Sequence, residues 1–216
     1  MKLMQKTILA LGCILAIGGA VFAGGTEAAT QARVNCRPER GCWEALEVDQ
    51  DKLRYPSMLR LSGEITGIDG RMVVVRGGDH EVVVTLLNDD TYIVKGAKGK
   101  LRSAKDLRVG QKVVAYYSAK MTRSLPPQAQ AFALVLGDVQ KEYVPMFFVV
   151  DKVQPSRDGS CVRVLNSNND VIARIDKDAC EDFAQIKAGD RLLLWSRVMT
   201  MSLPGQTHAE KVVILK

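Results

Sequence analysis

The chain has 216 residues, of which 47% are hydrophobic and 6% aromatic, and it carries a formal net charge of +6. That length is sufficient for two cores of ordinary small-domain size. The basic excess is modest and no nucleic-acid partner is expected, because such binders show a stronger or more clustered excess.

Residues 1–23 read as an export signal. Lys2 and Lys6 form a basic start, Ile8 to Ala20 an apolar run, and Val21-Phe22-Ala23 a small-residue cleavage site before Gly24. The run is short for a bilayer span and ends in small residues, so cleavage is predicted, with no transmembrane anchor after it. Cys13 invites a lipoprotein reading, which Ala10-Leu11-Gly12 fits poorly. Cleavage removes two lysines and no acid, so the formal charge falls from +6 to +4. The predicted location is secreted or cell-envelope.

Residues 24–57 form an N-terminal tether and a cysteine-containing segment. Gly24 to Ala32 is rich in Gly, Ala and Thr. Pro38, Trp43, Leu46 and Val48 hint at a helical turn, which Tyr55-Pro56 ends by disfavouring helical geometry before proline. After cleavage four cysteines remain, Cys36, Cys42, Cys161 and Cys180. In an oxidising compartment they suggest two bridges; proximity favours Cys36–Cys42 and Cys161–Cys180, although three pairings are open.

Residues 58–140 read as a first β-barrel repeat. Leu59 to Ile68 is a strand ending at the Asp69-Gly70 turn, followed by strands over Met72 to Val75 and Val82 to Leu86. A long polar connection, Asn88 to Arg108, holds a possible helical turn at Ser103 to Leu107. Strands over Lys112 to Ser118 and Ala131 to Leu136 complete the copy. Residues 145–216 retrace this path as a second repeat, with strands over Phe147 to Val153, Cys161 to Leu165, Val171 to Ile175, Leu192 to Val198 and Lys211 to Leu215. A short helical segment, Ala179 to Ile186, replaces the long connection. Five strands with the longest connection between the third and fourth is the count of an OB-like Greek-key barrel. The fold class expected is therefore all-β, two tandem OB-like five-stranded barrels, packed or held at a restricted angle by the short join Gln140 to Pro145.

The repeat is anchored by an octapeptide, Met-Thr-x-Ser-Leu-Pro-x-Gln, at Met121 to Gln128 and again at Met199 to Gln206. Each copy joins two apolar strands, so each is a rim loop. Thr122, Ser124, Thr200 and Ser202 can bond nearby backbone, and Gln128 and Gln206 can brace a loop across its base. Leu125 and Leu203 are expected to plug the barrel end, and Met121 and Met199 to fill irregular gaps. The alternative role of the octapeptide is a partner-binding loop built from the same eight positions: Met121, Thr122, Ser124, Gln128, Met199, Thr200, Ser202 and Gln206.

Other constellations are sparse. Met199, Met201 and His208 combine thioether and imidazole and would suit copper, although Arg123 and Gln130 replace Met201 and His208 in the first copy. Asp176, Asp178, Glu181 and Asp182 could serve a hydrolase or transferase, but ordinary helix N-terminal acids explain them better. Lys95, Lys98, Lys100, Arg102, Lys105 and Arg108 form one basic cluster, a solvated connection or a polyanion contact. His80 lies in a turn, and no nucleophile motif or phosphate-cradling loop occurs.

Over Leu107 to Leu136, and over Ile186 to Leu215 with Gly205 replacing the second proline, the chain resembles a domain of exported Clostridia and related Firmicutes proteins. That domain pairs a Gly-x-x-Val strand with a Met-Thr-x-Ser-Leu-Pro-Pro-Gln loop and accompanies cell-wall stalk or copper-amine-oxidase-like N-terminal modules. The resemblance implies export and this fold class, and no particular activity. The functional expectation is a non-catalytic envelope binding or assembly module, without cofactor, whose partner is an envelope polymer or protein. A hydrolase or transferase using the second-repeat carboxylates, and a copper-handling protein, are the alternatives.

Overall fold

The computed structural model describes residues 46–78, 82–96, 98–138 and 143–215. The expected signal, the tether, Cys36, Cys42 and His80 lie outside the described residues. Among those described, one short helix and thirteen strands build two curled antiparallel-rich sheets within one compact unit.

The helix α1 (Gln50–Arg54) is capped by the Asp49 side chain, which accepts from the Asp51 and Lys52 amides, and it stops before Pro56 as the X-Pro rule requires. The first sheet contains β1 (Met58–Asp69), β2 (Met72–Gly77), β3 (Val82–Leu86), β4 (Tyr92–Lys95), β5 (Lys100–Arg102), β6 (Lys112–Met121) and β7 (Gln128–Leu136). Its order is β3-β2-β1-β6-β7-β4-β5, and an additional parallel pairing of β3 with β7 closes β1, β2, β3, β6 and β7 into a five-stranded barrel. The long connection is not plain loop: β4 and β5 form a hairpin that extends the sheet along the second half of β7. The turn expected at Ser103 to Leu107 is a single 3-10 turn, Ala104–Asp106, with a Ser103–Asp106 capping box.

The second sheet contains β8 (Met146–Pro155), β9 (Cys161–Asn166), β10 (Val171–Asp176), β11 (Arg191–Trp195), β12 (Gly205–His208) and β13 (Lys211–Leu215), in the order β12-β10-β9-β8-β11-β13. β12 and β13 together correspond to β7. At the join the Ala209 amide bonds Arg174 O and the next amide, Glu210, bonds Trp195 O, so consecutive residues turn to opposite edges of the sheet. One stretch of chain thus carries both edges, and the first copy meets the same position with a register shift rather than a break.

Shared irregularities confirm the duplication. Thr66 is the extra residue of a bulge in β1, and Asp151 is its equivalent in β8. Beside each bulge sits a glycine at positive φ, Gly110 (88°) and Gly189 (91°), whose amide bonds Ile65 O or Val150 O. That backbone geometry favours glycine, which is why each copy keeps one before its fourth strand.

The apolar runs Val113 to Tyr117 and Leu192 to Trp195 are continuous rather than alternating because these strands bury both faces. Val113, Ala115 and Tyr117 fill the first barrel, while Val114 and Tyr116 point out of it. Leu192 and Leu194 fill the second core, while Leu193 and Trp195 point out. The outward sets meet in a third core with Phe147, Ala133, Val135 and Leu215. Tyr116 and Phe147 ring centroids are 5.6 Å apart, and the buried Tyr116 phenol is pushed up in pKa mainly by desolvation.

A polar clamp adds to this interface. The turn Asn166 to Asp170, expected as an ordinary hairpin connection, buries three asparagines. Asn168 Oδ1 accepts from the Ser57 and Met58 amides, both at 3.1 Å, and its amide donates to Met58 O at 2.8 Å. Asn169 accepts from the Asp49 amide and donates to Asp151, which also binds Lys52 at 2.7 Å. The bulge therefore aims Asp151 at α1, and the segment leading into the first barrel is held by the second.

Candidate functional site: the paired signature loops

In the first copy β6 ends at Met121 and β7 begins at Gln128; in the second, an isolated bridge pairs Met199 with Thr207. Residues 122–127 and 200–204 have no regular structure, and a relay of hydroxyl groups holds them. The Gln128 amide donates to Thr122 Oγ1 at 2.9 Å, the two hydroxyls of Thr122 and Ser124 lie 2.7 Å apart, and Ser124 Oγ donates to Pro126 O at 2.9 Å. Ser124 has one hydroxyl proton, committed to Pro126, so Thr122 must be the donor between the hydroxyls. The second copy repeats the relay: Gln206 amide to Thr200 Oγ1 at 2.8 Å, Thr200 to Ser202 at 2.7 Å, and Ser202 to Pro204 O at 2.8 Å. In each, the Thr amide also bonds the Gln carbonyl at 2.9 Å, closing the base. Bonds aligned head to tail polarise one another, so the relay stiffens the loop beyond its separate members. Both Leu-Pro bonds, Leu125-Pro126 and Leu203-Pro204, are cis.

Several expected roles change. The glutamines brace the base through their backbone groups, and their side-chain amides take no part. Leu125 and Leu203 do not plug the barrels: they are 97% and 74% exposed. The relay pulls the loop base together and drives the tip outward, beyond reach of either core. Met121 and Met199 are partly exposed at the loop roots, and Met199 lies against Gly205, where a Cβ would come within 2.9 Å of its sulfur. Gly205 stands where the first copy has Pro127 because its amide donates to Asp170 O at 2.7 Å, a bond proline cannot make.

The copper set is not assembled. Met201 is fully exposed at the tip, and Met199 pairs with Thr207 on one face of β12. His208, one residue on, faces the other way, where its Nε2 lies 2.7 Å from Asp176 Oδ2. Among the described residues no group of three or more His, Cys, Asp and Glu is disposed to hold a metal.

Two of the four second-repeat carboxylates, Asp176 and Asp182, have hydrogen-bonded partners. Burial raises the Asp176 carboxyl, but hydrogen bonds from His208 and the Ala179 amide, with the charges of His208 and Arg174, leave it below the usual range. Asp182 accepts from Gln185, and Asp178 and Glu181 are exposed.

Cys161 and Cys180 are free thiols, so the expected bridge between them is not formed. Val162 and Val164 of β9 point into the second core; Cys161 is out of phase with them, whereas Cys180 packs against that core. Burial, the largest effect, pushes the Cys180 thiol up. The basic cluster is exposed on and beyond the β4–β5 hairpin.

The tip residues Arg123 and Met201 gain significance from the geometry. They occupy the same position, flanked by the relay Thr and Ser, and Met201 reaches 106% exposure. No hydrogen bond to another described residue uses the amide or carbonyl of Arg123, Leu125, Met201 or Leu203. The signal in the sequence was their divergence, one of two within the octapeptide; the other, Pro127 against Gly205, has a local backbone reason.

No protein-family model matches the chain. The chain is 33% identical over 94 residues to a protein named Protease inhibitor from Brevibacillus choshinensis, a similarity covering 39% of this chain and 29% of that protein. The match thus spans less than a third of the length of this relative.

Proposed function

We propose that the chain is a non-catalytic binding module that acts outside the cytoplasm and seats its signature loops in the active-site clefts of proteases. The observation carrying this reading is the duplicated relay, which holds each exposed tip in one shape while leaving its backbone donors and acceptors free. A fixed tip of that kind, bent at residues 123–126 and 201–204, can present those groups to a cleft that pairs with substrate backbone. Preorganisation matters because ordering a mobile loop on binding would consume part of the interaction energy. The similarity to a protein named as a protease inhibitor supports the same partner class. Export, as residues 1–23 suggest, would put the module where secreted proteases act. The carboxylates and the Met199, Met201 and His208 set offer no assembled alternative.

The test is titration of secreted serine, cysteine and metalloproteases with the purified mature chain. Stoichiometric inhibition, with the chain persisting in the complex, is expected for at least one class. Absence of binding to every protease tested, or rapid turnover of the chain as an ordinary substrate, would overturn the reading.

A further inference from the structure

We propose, building on the protease-binding reading, that Arg123 and Met201 are the specificity residues of two different inhibitory loops. Arg123 addresses a serine protease with an acidic primary pocket, and Met201 one with a deep apolar pocket.

The argument begins with what these side chains do not do at home. Met201 is 106% exposed, and Arg123, also exposed, has no salt bridge or hydrogen-bond partner among the described residues. Neither is required by its loop, because Thr, Ser, Leu and cis-linked Pro keep the same relay around both. A free guanidinium and an unbranched apolar chain at one topological position are two answers to the same pocket-filling problem. In trypsin-like enzymes the pocket ends in a carboxylate that pairs a cation, whereas chymotrypsin-like enzymes present a hydrophobic slot. Arginine meets a carboxylate through a two-pronged charge-assisted contact, and methionine adapts its three rotatable bonds to an irregular apolar slot.

The relay also supplies a reason for inhibition rather than cleavage. The Thr122–Ser124 hydroxyl bond links the residues on either side of Arg123, so it ties the two sides of the Arg123–Ser124 peptide bond together, and Thr200–Ser202 does the same around Met201. In a serine protease the enzyme's serine oxygen adds to the Arg123 carbonyl carbon. The carbon–nitrogen bond to Ser124 then breaks, and the protease histidine gives its proton to the departing Ser124 amine. That amine stays tied through Ser124 Oγ to Thr122 and through Pro126 to the strand that Thr122 pairs at Gln128. Held beside the acyl carbon, it re-forms the peptide bond by the reverse step faster than water enters, since tethering raises its effective concentration. Arg123, Ser124, Met201 and Ser202 thus flank two reactive-site bonds, one per barrel.

The experiment measures inhibition constants of the full mature chain against trypsin, chymotrypsin and subtilisin. Wild type is expected to inhibit trypsin and at least one of the other two. Arg123→Glu should weaken trypsin inhibition by more than 100-fold and leave the apolar-pocket enzyme unaffected; Met201→Glu should do the opposite. The swapped variant Arg123→Met with Met201→Arg should inhibit both classes again, each through the other loop, as single Glu substitutions in that background report. Circular dichroism and thermal melts matching wild type confirm that the exposed substitutions leave the fold intact. If wild type inhibits these enzymes and the tip variants do so equally, the tip assignment is wrong while the protease-binding reading stands. If wild type binds none of the three but inhibits a cysteine or metalloprotease, the serine-protease assignment is overturned alone. If it binds no protease of any class, both fall.

Discussion

Thr122 and Ser124 share a hydroxyl–hydroxyl bond of 2.7 Å that bridges over Arg123, the residue between them. Removing it should free the tip without opening the barrel, because both bonded groups lie in the exposed loop. Thr122→Val keeps the shape of the side chain and deletes the donor to Ser124 and the acceptor for the Gln128 amide. A net hydrogen bond is worth about 0.5–1.5 kcal/mol, so losing these two should lower global stability by about 1–3 kcal/mol at most. Hydrogen exchange at the Gln128 amide should accelerate well beyond that of the β6 and β7 amides. Unchanged exchange at Gln128 would mean the relay does not hold the loop.

Gly99 approaches Trp195 so closely that an added Cβ would lie 2.6 Å from the indole, and its φ of +69° disfavours any other residue. Gly99→Ala should therefore destabilise the protein by about 1–3 kcal/mol through overpacking and backbone strain. Urea denaturation monitored by Trp fluorescence checks this. Gly96→Ala is the control for strain alone, since φ there is +67° with nothing within 4 Å of the added carbon. Equal effects of the two substitutions would remove the contact from the explanation.

Asn168 satisfies the amides of Ser57 and Met58 and the carbonyl of Met58, and it is buried. Asn168→Ala leaves these backbone groups without their partner, at a cost of about 1–3 kcal/mol for a buried unsatisfied group. Limited proteolysis should then cut between residues 46 and 58 faster than in wild type. A thermal melt within error of wild type, with the same cleavage rate, would contradict the clamp.

Asp151 sits in the β8 bulge, and burial, the largest single influence, raises its carboxyl. Hydrogen bonds from Lys52 and Asn169, with the charges of Lys52 and Lys152, outweigh that and leave it below the usual range. A carboxyl held below its unfolded value stabilises the fold above that value and loses the contribution as pH falls through the folded value. The contribution is thus present above about pH 4, the ordinary aspartate value, and declines below it. Asp151→Asn should melt lower than wild type at pH 7, and the gap should narrow as pH drops from 4 to 2.5. A constant gap across that range would exclude ionised Asp151 as its source.

Strand positions were legible where apolar residues run between turn signals, as at Met72 to Val75, because β-branched density and Asp-Gly turns act locally. The β4–β5 hairpin was not, since Tyr92 to Lys95 is short and its strand character depends on pairing with β7. The one-residue slip between copies after Tyr116 and Trp195 was visible in the sequence, and β6 is irregular against β7 there. The eight shared loop residues were identified, but two leucines were assigned to the barrels that the structure turns outward. Leucine reads as core by transfer energy alone, whereas the path of an irregular loop depends on a relay among specific hydroxyls.

By itself, the sequence determined the duplication, the five strands that close the first barrel and the place of the signature between strands. These follow from periodicity and turn chemistry, which are properties of neighbouring residues. Only the tertiary structure decided that Val114, Tyr116, Leu193 and Trp195 join two barrels, that Asn168 clamps the segment before the first, and that Arg123 and Met201 stand at equivalent exposed tips. Those outcomes depend on groups far apart in the chain being brought within ångströms, and no local pattern encodes such distances.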